Sequence, residues 1–364
     1  MALTLHGTVA DNTVVLSRQN TKPLIINGDM AVAQRGTSLA TDETEGYIID
    51  RFVVGSFNGN TITFTQDSDV PSGQGFTKSM KATNTTGTAA SVFEFICQRM
   101  EGLDTAQLNF GTSSAKQITL SFFVKSSVTG TYNVALRNNA NDRGYVADYT
   151  ISSANTWEKK VITIPGDTTG TWLTTNGIGI RTWFILGAGA SSQTSPNAWG
   201  TSGDSGSSNL TNAFTTTGSA TFFLTGVQME VGNFDANSIA PFQHESFGDN
   251  LSRCQRYLYD PLRGTTHAYG VFCHVTCVST TVARGVFQLP REMRTLGTVV
   301  TSGAIEVTGD SFHPACTSIA TTGRSGTMTT EMSFTVGSGL SSGEGAIVRR
   351  ENNASTTFRL DAEL

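Results

Sequence analysis

The stretch Val227–Asp260 reads VQMEVGNFDANSIAPFQHESFGDNLSRCQRYLYD, and its reading divides the chain. VQMEVG has the profile of a closing β-strand. ANSIAPFQHES then leads away from it, with Pro241 disfavouring helix at the residue before it. From Gly248 to about Tyr259 the pattern changes to a short amphipathic helix. Ser246 stands where it can cap the first turn, with Asp249 three residues on, a weak variant of the capping box. Phe247, Leu251, Cys254 and Leu258 follow at helical spacing. A lone helix between two strand-rich regions is a linker. The expected fold is therefore all-β: a jelly-roll β-sandwich, a short linker helix, and a second, smaller β-sandwich domain. The apolar stripe Phe247, Leu251, Cys254 and Leu258 has no obvious home in either sandwich. It is expected to pack near a threefold axis, against its own copies or the adjoining domain, and His244 is expected to be part of the linker rather than a site residue.

Working outward, residues 1–22 form a polar N-terminal arm, 23–238 the jelly roll, 239–262 the linker and 263–364 the C-terminal β-domain. An arm of this kind is usually flexible, or tied down by a neighbouring subunit. KPLIING (Lys22–Gly28) reads as the first strand. TITFTQ (Thr61–Gln66) alternates with period two. ASVFEFICQRM (Ala90–Met100) puts Val92, Glu94, Ile96 and Gln98 on one face and Phe93, Phe95 and Cys97 on the other. QITLSFFVKSS and GTYNVALRN are expected to form a hairpin across SSVTG (Ser126–Gly130). GYVADYTIS, TWEKKVITIPG, TWFILGAG and ATFFLTGVQME complete the set. Gly187–Ser219 is a long Ser/Gly/Thr loop with Trp199 at its middle, and loops of this length are usually functional or mobile. AYGVFCHVTCVS, TVARGVFQLP, SGTMTTEMSFTVG, GAIVRREN and STTFRLDAEL supply the second domain. Strands this short and frequent suit a sandwich or jelly roll.

Composition narrows the function. Of 364 residues, 15% are charged, well below the roughly 25% that is usual. The net charge is −5, with 24 Lys and Arg against 29 Asp and Glu. This is not the basic footprint of a nucleic-acid binder. No apolar run reaches the roughly 20 residues of a membrane-spanning helix, so membrane insertion is not expected. The first 20 residues lack a basic stretch followed by an apolar core, which points to synthesis and folding in a cytoplasm. The five cysteines (Cys97, Cys254, Cys273, Cys277 and Cys316) are odd in number and read as buried thiols. A zinc site from Cys273 and Cys277 with His274, or with His313 and Cys316, lacks compact paired spacing.

No catalytic motif appears, so no enzyme is expected. Asp148, Glu158 and Asp167 are carboxylates of the type that cleaves glycosides, but their positions read as solvated surface. Trp157 and Trp183 sit in strand patterns and are expected in the core. Trp172 and Trp199 sit near or in loops, where an indole can stack on the C–H face of a sugar. RNNANDRGY (Arg137–Tyr145) could present Asn138, Asp142 and Tyr145 beside them. The alternative is an ordinary hairpin tip. Asn27, Asp29 and Glu230 could meet and hold a structural Ca²⁺ through hard oxygens, or be a turn signal and a surface acid. No other cofactor is implied.

INGDMAVAQRGTS (Ile26–Ser38) followed by a YxxDRF box (Tyr47–Phe52) resembles the start of a domain found in tailed-phage fibres and other virion structural proteins. So does the closing block FFLTGVQMEVGNFDANSIAPFQHESFGDNLSRCQRYL (Phe222–Leu258). That block is similar to a family pattern "LTGVQLEVG…ATPFEHR…ELxxCQRYY", with Ile239, Ala240 and Gln243 departing from it and Leu258 in place of the second tyrosine. FQLPREMR (Phe287–Arg294) resembles a segment of the small β-domain that often follows. The resemblance covers about residues 24–260. It implies a virion protein with a jelly roll similar to carbohydrate-binding modules, and the tail is the expected location. It implies a homotrimer joined to another virion protein through residues 1–22, and a host cell-surface glycan or other receptor as partner. It gives no ligand residue by itself. A head fibre or capsid decoration protein is the structural alternative; a polysaccharide depolymerase is the enzymatic one.

Overall fold

The structure, a computed structural model, describes residues 23–87, 93–201 and 205–364. The N-terminal arm lies outside the described residues. The first unit is a jelly-roll sandwich of two antiparallel sheets. One sheet has six strands in the order Ser38–Thr41, Ile62–Asp67, Ser79–Asn84, Thr221–Val231, Ile118–Ser126, Glu158–Ile164. The facing sheet has seven, in the order Trp199–Gly200, Gly144–Ile151, Gly130–Arg137, Ile178–Ala188, Phe93–Glu101, Phe52–Phe57, Thr44–Tyr47. Alternating residues close the core between them. Phe122 and Val124 from one sheet meet Val134, Tyr149 and Phe184 from the other, and all are buried. The next residues along the seven-stranded sheet turn outward, where Val53, Phe95, Cys97, Trp183 and Ile185 form a separate apolar cluster. Trp183 is therefore buried as expected, but on the outer face.

The hairpin expected across Ser126–Gly130 is a crossover instead. Ile118–Ser126 lies in the six-stranded sheet and Gly130–Arg137 in the seven-stranded one. Core residues crowd both sides of this bend, so the chain arches over the sandwich edge. Tyr132 Oη clips the arch, donating to Val128 O at 2.9 Å and lying 3.0 Å from Ser126 Oγ. The true hairpin is the next one, Gly130–Arg137 with Gly144–Ile151, whose tip is Asn138–Arg143.

Pro23–Gly28 is not a strand, although Leu24, Ile25 and Ile26 are buried. At Ile26 the backbone hydrogen bonds go to a side chain. The Gln98 amide accepts from Ile26 N at 2.9 Å and donates to Ile26 O at 2.8 Å, as a neighbouring strand would.

The second unit pairs a six-stranded sheet with a three-stranded one. The five expected strands are present, in a core of Cys273, Val275, Cys277, Phe334, Val348 and Phe358. Thr298–Ser302, Ile305–Thr308 and Cys316–Thr321 are additional strands. Leu258–Tyr259 pairs with Thr357–Asp361, so the linker's last residues are built into this second unit.

The helix runs Phe247–Cys254, and Ser246 Oγ accepts from Asp249 N at 3.2 Å. Its stripe does have a home. Cys254 packs with Ile26, Val32 and Tyr257, with Leu251 beside them. Leu258 is fully buried. The assignment of Cys254 and Leu258 to a contact between copies is thus corrected: burial inside the chain removes them from any other surface. Phe247 is 49% exposed and Leu251 is half-buried.

Candidate functional site

The sequence-selected aromatics converge. Trp199 begins a two-residue edge strand paired to Tyr145 and Gly144, which places its indole beside the Tyr145 ring, 5.2 Å between centroids. Trp172 comes from the loop after Glu158–Ile164. Its ring stands at 85° to that of Trp199, 5.5 Å away. Phe110 lies beneath both, at 5.0 Å from Trp172 and 5.7 Å from Trp199. Edge-to-face packing of this kind stabilises and fixes rings beyond their buried area. Both tryptophans are half-buried against the main core. Their indole N–H groups point back into the protein: Trp199 Nε1 donates to Pro165 O at 2.8 Å, and Trp172 Nε1 to Thr169 O at 3.2 Å.

Asp167 holds this corner in place. It accepts two bonds from Arg143, each 2.7 Å, and a third from Trp172 Nε1 at 3.3 Å. Burial raises the Asp167 carboxyl, but the Arg143 and Thr169 donors outweigh it and hold it below the usual range. Gly170, at φ +77°, is required here, because a Cβ would lie 2.4 Å from Arg143 Cγ. Asp167 is thus a buried structural acid, not the solvated surface charge expected from sequence. Asp148 and Glu158 are also engaged. Asp148 accepts from Asn133 Nδ2 at 2.7 Å and Asn209 Nδ2 at 2.7 Å, and Glu158 from Ser152 N at 2.8 Å and Lys160 Nζ at 2.6 Å.

Asn138 does not face solvent. It is fully buried, donating to Asp142 Oδ1 at 2.6 Å and to Thr171 O at 3.1 Å, and accepting from Asp142 N and Arg143 N. It shapes the hairpin tip and is corrected as a ligand contact. Asn139, Asn141 and Asp142 are exposed on that tip. Tyr145 is 5% exposed and contributes mainly packing. Phe110 was missed because residues 102–117 show no periodicity that would pair it with distant tryptophans. Trp157 is half-buried rather than core, with Nε1 donating to Asp69 Oδ1 at 3.0 Å.

The described part of the long Ser/Gly/Thr loop is pinned to the sheet. Gln193–Thr194 pairs in parallel with Gly206–Ser207, and Asn197 N donates to Val146 O at 2.7 Å.

The calcium reading does not survive. Asn27 is buried, its Nδ2 donating to Val32 O and Asp50 O, its Oδ1 taken by Val32 N at 2.9 Å and Asn250 Nδ2 at 3.2 Å. An oxygen facing two N–H donors does not face a cation. Asp29 Oδ1 likewise accepts from Asn250 Nδ2 at 2.9 Å. Among the described residues no group of three His, Cys, Asp or Glu side chains could hold a metal. Cys273 and Cys277 are buried in the second core while His274 is on the opposite, exposed face. No helix among the described residues is long and apolar enough to cross a membrane.

No protein-family model matches the chain, and no curated protein does. Among solved structures it is similar to the enzymatically active domain of bacteriophage CBA120 tailspike protein 4, at 11% identity and TM-score 0.30, covering 57% of this chain and 21% of that one. It is similar to a family 11 carbohydrate-binding module from Clostridium thermocellum, solved with a β-1,3-1,4-mixed-linked tetrasaccharide (14%, TM-score 0.27, 55% and 98%). It is also similar to the N-terminal cellulose-binding domain of Cellulomonas fimi β-1,4-glucanase C (13%, TM-score 0.26, 59% and 100%). The chain thus spans about a fifth of the tailspike structure's length. These likenesses are slight and assign no function.

Proposed function

We propose that this chain is a virion structural protein, a tail fibre or receptor-binding protein, that attaches to host surface glycans without catalysis. One observation carries the glycan reading: Trp172 and Trp199 are held at right angles as a half-buried corner, their N–H groups anchored inward, beneath an exposed tip of Asn139, Asn141 and Asp142. Fixed ring surfaces next to short polar side chains suit a sugar, whose C–H face stacks while its hydroxyls bond amides and carboxylates. The virion reading rests on the opening and closing sequence blocks. Assembly as a trimer and anchoring through residues 1–22 belong to the same proposal. Several copies would strengthen weak single-site binding.

The test is a host-glycan array probed with the full chain. Capture of one or more surface saccharides, with no release of reducing ends, supports the proposal. Silence across host glycans favours a purely structural virion part, and release of reducing ends favours a depolymerase.

A further inference from the structure

On the outer face of the seven-stranded sheet, three neighbouring strands place arginines side by side. Arg181 is directly opposite Arg99 on one side and Arg137 on the other. Like charges directly opposite across strands oppose each other, so such a row calls for a counter-charge. Arg99 has one: its Nη2 donates to Glu45 Oε1 at 2.8 Å, and its Nη1 to Leu364 O at 2.7 Å. Arg137 Nη1 donates to Ser205 Oγ at 2.9 Å. Arg181 differs. Its Nη1 donates to Asn138 O, Asn139 O and Asn141 Oδ1 at 2.7, 3.0 and 2.7 Å, all neutral oxygens. These three fix the guanidinium from one side and leave Nε and Nη2 without a partner among the described residues. Burial first, with Arg99 adding to it, presses Arg181 below the ordinary arginine range.

A second observation lies two residues along the same face. Trp183 is 7% exposed, and its indole N–H has no hydrogen-bond partner among the described residues. Its ring packs edge-on against Phe95 at 4.4 Å and lies 5.8 Å from the Arg137 guanidinium. A buried, unmade donor is unfavourable until something accepts from it. We propose that this face is a second saccharide site, selective for an acidic sugar, in which Arg181 takes the carboxylate and Trp183 Nε1 donates to a sugar oxygen. A guanidinium edge with two free N–H groups matches a carboxylate bidentately. The site lies on the outer face of the sheet and meets the Trp172 and Trp199 corner through the hairpin tip, where Asn141 Oδ1 accepts from Arg181.

The experiment is calorimetric titration of the full chain with trigalacturonate, its methyl ester and inorganic phosphate, at low and at moderate salt. Trigalacturonate should bind, the ester at least tenfold more weakly, and added salt should weaken the acid alone. Arg181→Gln should lose binding at least tenfold. Arg181→Lys, which keeps the charge and the link to the hairpin tip but loses the fork, should lose severalfold. Trp183→Phe, which keeps the ring, should lose severalfold while melting as the parent does. Equal affinity for acid and ester, no binding of the acid by the parent, or an unchanged Arg181→Gln variant would overturn the proposal. Phosphate competing as well as the trisaccharide would also overturn it, since the face would then be a bare anion site.

Discussion

The Arg51 guanidinium carbon lies 3.4 Å from the centre of the Tyr257 ring. One residue comes from the YxxDRF box and the other from the CQRYL segment, 206 positions later (257 minus 51). Around this stack the opening and closing sequence blocks and the C-terminal residues 361–364 meet. Arg51 Nη1 pairs with the Glu363 carboxylate, and Arg35 bonds Asp361 at 2.7 Å and Glu363 at 3.2 Å. Tyr257 Oη donates to Glu101 at 2.8 Å, and Arg256 grips the same carboxylate with two bonds of 2.8 and 2.7 Å. Gln34 Nε2 bridges Asp50 and Leu258 O, at 2.5 and 3.0 Å. The motifs that drew attention in the sequence build the joint between the two sandwiches.

Arg51→Ala tests that joint. It leaves Glu363, whose side chain is 6% exposed, without its closest partner. Breaking a buried pair by removing one member costs about 3–5 kcal/mol. Urea unfolding should show a loss of that order, with the two sandwiches beginning to unfold separately. A loss below 1 kcal/mol with a single transition would show that the joint does not couple them.

Gln98→Leu tests the side chain that stands in for a strand. Ile26 N–H and C=O lose their partners at 2.9 and 2.8 Å. A buried polar group left unsatisfied costs about 1–3 kcal/mol, so the variant should lose at least 2 kcal/mol. Gln98→Glu, which keeps the acceptor but not the donor, should fall between.

Glu94 gives a pH signature. Burial lifts its carboxyl to about 7, only partly offset by the bond from Asn60 Nδ2 at 2.7 Å. Because the folded value exceeds the unfolded one, the protonated form favours folding. Stability is highest below about 4.5 as far as this group is concerned, and is lost as pH rises through about 7. The difference from 4.5 corresponds to about 3 kcal/mol. Glu94→Gln should therefore be more stable than the parent at pH 8 and about equal at pH 5. Parallel stability curves for the two proteins would contradict the assignment.

Much of this was legible in the chain. Period-two runs marked Ile62–Asp67 and the five strands of the second unit, because half-buried strands must alternate. The helix was marked by Ser246 and Asp249. What was not legible depended on distant pairing. The bend at Ser126–Gly130 signals a turn, but nothing local says which sheet takes the next strand. The run Leu24–Ile26 looks like a strand because it is buried, yet its partner is one amide, Gln98. Trp172 and Trp199 could be picked as loop aromatics, whereas their support by Phe110 and Asp167 is made only by the fold. Arg99, Arg137 and Arg181 form a row through register alone.

The central claim is that the Trp172 and Trp199 corner holds a glycan. The direct measurement is calorimetric titration of a host saccharide captured by the chain, comparing the parent with the Trp172→Ala/Trp199→Ala double variant, both shown folded by circular dichroism. Each indole supplies a large, fixed apolar contact surface, and the double variant removes both. The double variant should bind at least tenfold more weakly. Unchanged affinity in a folded double variant would contradict the account and place glycan binding elsewhere on the molecule.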